Sequence, residues 1–125
     1  MPELKLKQMQ FEADAWKRVM GFMMTENVYL KNRLAEILNE KFDISMLEEI
    51  ENFHSIFLKK DELILILRHE LAELDKLLVR EIFEDGTIMK KVTSKMNTLR
   101  KNISNAENQF NKMKLEFNNY LADYL

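Results

Sequence analysis

Residues 89–124 read MKKVTSKMNTLRKNISNAENQFNKMKLEFNNYLADY, and their spacing decides the fold. Met89, Val92, Met96, Leu99, Ile103, Ala106, Phe110, Met113, Phe117, Tyr120 and Tyr124 follow one another by alternating steps of three and four. An α-helix repeats every 3.6 residues, so this alternation draws one apolar seam along one side of a helix. A seam held this strictly predicts coiled-coil-like heptad packing with a left-handed supercoil. The Asn residues at 97, 102, 105, 108, 111, 118 and 119 are mediocre helix formers. This helix is therefore expected to depend on packing for its stability.

Working backwards, Asp85-Gly86-Thr87 interrupts the pattern. Gly86 suits a left-handed C-cap and Thr87 the cap of the helix that follows. A second interruption is Lys41-Phe42-Asp43-Ile44-Ser45. There Ser45 and Glu48 have capping-box spacing, Asp43 is a competing cap, and Phe42 and Leu47 are spaced as a hydrophobic staple. Pro2 can open the first helix, where its missing N–H is harmless. The divisions predict three helices at about 3–41, 46–84 and 88–123, each roughly 57 Å long. Matched lengths and short turns predict a single all-α domain, with three antiparallel helices running up-down-up. The charged run Lys59-Lys60-Asp61-Glu62 is where the second helix would kink or split.

The first helix carries Leu6, Ala13, Met20, Asn27 and Leu34 at one seam position and Met9, Trp16, Met23, Leu30 and Ile37 at the other. The second carries Ile50, Phe53, Phe57, Ile64, Leu67, Leu71, Leu74 and Leu78, widened by Ile56, Leu63 and Leu77. Leu58, Leu65 and Val79 add a further flank, as do Val19, Met24 and Leu38 on the first helix. Apolar surface of that width implies more than one neighbour. Val19, Met24, Leu58, Leu65 and Val79 are accordingly a candidate interaction face, and a dimer is the alternative to a monomeric bundle.

Glu26-Asn27 and Lys60 break the two seams with polar residues. A hairpin centred on residues 43 and 44 sets Asn27 opposite Lys60 and Glu26 opposite Asp61. Folding back about Gly86 brings Asn111-Lys112 to the same level. Glu26, Asn27, Lys60 and Asp61 are thus expected to form a polar layer, with Lys60 paired to Glu26 or Asp61. Such a layer specifies register at some expense in stability.

Catalytic and metal chemistry find little support. No cysteine is present, so disulfides and thiolate chemistry within the chain are excluded. Glu51 and His54 have Glu-x-x-His spacing, but a dinuclear bundle site needs two such pairs plus two further Glu. His69 lies fifteen residues along the same helix, about 22 Å away. His69-Glu70-Leu71-Ala72-Glu73 lacks the second histidine of a zinc-protease motif. With two glycines in the chain, a phosphate-cradling loop is not expected either. The chain reads as a non-enzyme with no cofactor and no metal.

Charge is distributed unevenly. Residues 1–42 balance at +1, residues 45–85 at −6 and residues 86–125 at +4, within a net charge of −2. Lys90, Lys91, Lys95, Arg100 and Lys101 crowd the start of the third helix, with no acid until Glu107. Cations there oppose the helix dipole, and Glu81, Glu84 and Asp85 are the nearest compensators. The same five residues are the candidate contact for an anion or nucleic acid, although no exposed aromatic is interleaved for base stacking. The longest apolar run, Leu63 to Leu67, is far too short to span a membrane. With 46% apolar and 32% charged residues, the expected role is a cytoplasmic protein–protein interaction or scaffolding module. It would self-associate or bind a protein through helices 1 and 2, and nucleic acid is the lesser alternative.

Overall fold

The structure, a computed structural model, describes residues 2–40, 43–84 and 88–124. It is all-α: helix α1 spans Pro2–Glu40, a 3-10 turn spans Ile44–Met46, α2 spans Leu47–Glu84 and α3 spans Met89–Tyr124. Among the described residues there is no strand. None of the helices is long and apolar enough to cross a membrane.

At the first turn Asp43, with extended backbone, supplies the cap. Its Oδ1 accepts the Ser45 N–H at 3.0 Å and its carbonyl accepts the Met46 N–H at 2.9 Å. Ser45 was the other candidate, but its N–H is spent on Asp43 and it sits inside the 3-10 turn, so α2 begins after it. The proposed roles of Phe42, Gly86 and Thr87 lie outside the described residues.

The charged run at 59–62 leaves α2 unbroken from Leu47 to Glu84. Lys59 and Glu62 are exposed, while Lys60 and Asp61 are half-buried. Backbone hydrogen bonding therefore continues through four charged residues without burying more than part of two.

All three helices contribute to one apolar core. From α1 it takes Met9, Ala13, Met20, Met23, Leu30, Leu34 and Ile37; Leu6 and Trp16 are only partly buried against it. All eight expected seam residues of α2 are buried, with Ile56, Leu63 and Leu77 half-buried beside them. On α3 the run from Val92 to Phe117 is buried, Met89 and Tyr120 are partly buried, and Tyr124 is exposed. Phe57 and Phe117 meet edge to face with centroids 5.0 Å apart at 89°, and Phe53 stands 5.0 Å from Phe117. Such ring pairs add about 0.5–1.5 kcal/mol beyond the area they bury.

Candidate functional site

Of the polar interruption on α1, Asn27 is wholly buried and Glu26 half-buried. Asn27 has no exposed surface, and its Nδ2 donates to the Phe57 carbonyl at 2.9 Å and to Asp61 Oδ1 at 2.7 Å. Both partners are acceptors, which fixes the orientation of the amide. Its Oδ1 has no hydrogen-bond partner. Lys31 Nζ donates to the other Asp61 oxygen at 2.6 Å. Burial would push the Asp61 carboxyl up; the hydrogen bonds from Lys31 and Asn27, with the Lys31 charge, outweigh it and hold the carboxyl below its ordinary value.

Lys60 takes no part in this cluster. Expected to pair with Glu26 or Asp61, it instead lines a cleft between α2 and α3. Neighbouring residues on a helix are about 100° apart, so Asp61 faces α1 while Lys60 turns towards α3. Glu26 also turns to α3, where Lys114 Nζ meets its carboxylate at 2.9 Å and lies 5.9 Å from the Phe22 ring centroid. Asn111 and Lys112 are exposed.

Two further contacts join α1 to α2. Arg68 Nη1 donates to Met24 Sδ at 3.1 Å, and Lys17 Nζ lies 2.5 Å from Asp75 Oδ2. The hydrogen bond to Asp75 raises the Lys17 ammonium above its ordinary value, against the opposing effect of burial.

The apolar flank divides. Met24, Leu58, Leu65 and Val79 are exposed, Leu65 by 68%, whereas Val19 is packed against the core. Ala72 is also exposed, so Leu58, Leu65, Ala72 and Val79 form one line spaced by seven. Ala72 did not count towards the apolar flank in the sequence because it is small. It borders a cleft of about 290 Å³ that Lys17, Arg68, Leu71 and Asp75 also line.

The basic start of α3 is partly engaged. Lys95 forms an ion pair with Glu70. Arg100 donates to Glu12 at 2.8 and 3.1 Å and to Asn97 at 2.9 Å, and its guanidinium lies 5.7 Å from the Trp16 ring centroid. Lys90, Lys91 and Lys101 are exposed. Of the expected compensators, Glu81 is buried and accepts the Ile88 N–H at 3.2 Å, serving the backbone ahead of α3. The Glu84 side chain and Asp85 lie outside the described residues.

A second cleft, about 370 Å³, runs between α2 and α3, with Leu63 and Ile66 on one wall and Thr98 and Asn102 on the other. Its sequence signal is the short polar residues of α3 set opposite the widened apolar flank of α2. Glu51, His54 and His69 are exposed. Among the described residues no three His, Cys, Asp or Glu side chains come together as a metal site. The chain matches no family model, no curated protein and no solved structure.

Proposed function

We propose that this chain is a non-enzymatic interaction or scaffolding module of the cytoplasm. In this reading it is an up-down-up, left-handed three-helix bundle that docks a helical partner along α2. The contacts support the topology. From Lys31 to Met24 to Lys17 on α1, the α2 partner advances from Asp61 to Arg68 to Asp75. The α1–α3 pairs run in the same direction, Glu12 with Arg100 and Glu26 with Lys114. Steps of seven on both α1 and α2 are the spacing that heptad packing requires.

One observation carries the function: the exposed line Leu58, Leu65, Ala72 and Val79. It is about 32 Å long, and Met24 and Val28 of α1 are exposed as well. Apolar residues repeated every seven positions over this length make a narrow stripe along which an amphipathic helix can lie, with Asp61, Glu62, Arg68, His69, Asp75 and Lys76 at its edges. The nucleic-acid alternative has less support, because Lys95 and Arg100 already face carboxylates of α2 and α1.

The test is capture from native lysate, with and without nuclease, comparing the natural chain with Leu58→Glu/Leu65→Glu. Nuclease-resistant recovery that the double substitution abolishes is the expected result. Recovery that nuclease removes and the substitution leaves intact would transfer the function to the basic start of α3.

A further inference from the structure

We infer that the occupant of this line is a second copy of the same chain, α2 packed antiparallel on α2 about a two-fold axis between Arg68 and His69. This rests on the interaction reading above and specifies its partner.

The line is complementary to itself in only one sense of pairing. About that axis, Leu65 lies opposite the partner's Ala72 and Leu58 opposite the partner's Val79, and each pair occurs twice. The most exposed leucine of the line thus meets the smallest residue of the line, Ala72, at the border of the cleft between Leu71 and the Lys17–Asp75 pair. Large against small on both sides of a two-fold is how an isologous contact closes. A parallel pairing would set Leu65 against Leu65 and Ala72 against Ala72, leaving a bulge and a gap.

Charges beside the line agree with the same axis. Glu62 and Lys76, both exposed, stand one heptad either side of His69; Lys76 reaches Glu73 of its own helix at 3.3 Å, an exposed i,i+3 pair that it can exchange for Glu62 of the other copy. The antiparallel pairing therefore brings Glu62 of each copy beside Lys76 of the other. On the opposite flank Asp61 and Asp75 approach each other across the axis, but each comes with its own lysine, Lys31 at 2.6 Å and Lys17 at 2.5 Å. Arg68 is the cation nearest its own mate, and its guanidinium is held against Met24 of its own helix pair. The two aspartates thus keep their own counter-ions, while Arg68 rests on a neutral thioether and is the like-charge contact that the pairing leaves to solvent.

A single helix pair with a narrow apolar line buries less than a standard interface. The dimer is therefore concentration-dependent, with a dissociation constant roughly in the micromolar range.

Sedimentation across a wide concentration range tests this, using the intact chain. Leu65→Ala and Ala72→Leu each weaken the dimer by about tenfold, one by a gap and the other by a clash. The double variant exchanges large and small across the axis and restores the natural affinity. Glu62→Lys and Lys76→Glu behave likewise, weaker singly and restored together. Circular dichroism of each variant checks that it is folded.

A monomer at every concentration up to about 1 mM overturns the proposal, as does a dimer in which neither double variant restores what the singles lose. If that monomer still captures another protein through Leu58 and Leu65, the interaction reading stands with a different partner. If it captures none, both fail.

Discussion

The two contacts that α2 makes are built from different chemistry. Towards α1 it presents Asp61, Arg68 and Asp75, which meet Asn27, Lys31, Met24 and Lys17. Towards α3 it presents Phe53 and Phe57, which meet Phe117 and Tyr120, together with Glu70, which pairs with Lys95. Ring packing prefers edge-to-face and offset arrangements, but most of what it contributes is burial, which survives small shifts. A hydrogen bond to a buried amide contributes little net energy and is costly to leave unmade. The α2–α3 contact is therefore expected to supply stability, and the α1–α2 contact to select one alignment.

The sharpest way to break that division is Phe57→Ala. Phe57 is wholly buried, and its loss should cost about 3–5 kcal/mol in urea denaturation. A cost below about 1 kcal/mol would mean that the aromatic end does not carry stability.

Asn27→Leu probes the other contact with a smaller effect of opposite sign. It removes an amide whose Oδ1 is buried without a partner, while Asp61 keeps Lys31. The melting temperature should rise roughly 3–6 °C, and the NMR spectrum or the sedimentation profile should show more than one species. A single unchanged oligomer with lower stability would show that Asn27 acts by stabilising rather than by selecting alignment.

The smallest effect is on pH dependence. The Asp61 carboxyl is held below its ordinary 3.8. Its contribution is thus present above that pH and is lost as pH falls through the folded value. Lys17 is raised above its ordinary 10.5, so its contribution is present below that pH and lost as pH rises through the folded value. Asp61→Asn should flatten the acid limb of a stability–pH curve and Lys17→Met the alkaline limb. An acid limb unaltered by Asp61→Asn would place its origin at other carboxylates.

Much of the fold was legible because helical periodicity is a local property. The alternation from Met89 to Tyr124 marks residues that α3 buries from Val92 to Phe117. At the ends the same pattern fails: Tyr124 continues the spacing but is exposed, since spacing does not say where the neighbouring helix stops. The exposed apolar flank was only partly legible. Val19 and Leu65 both sit beside an apolar seam, yet Val19 packs against the core and Leu65 faces outward.

The helix spans, the apolar seams and the mid-chain polar interruption followed from residue order alone, because each depends on neighbours three and four positions away. Which charged groups meet was decided only when the helices assembled. Pairing by height placed Lys60 with Glu26 or Asp61; the structure gives Asp61 to Lys31 and Glu26 to Lys114. Height along a bundle follows from residue number. The direction a side chain faces also depends on how each helix is rotated against its neighbours, and that rotation is set by the packing of the whole core.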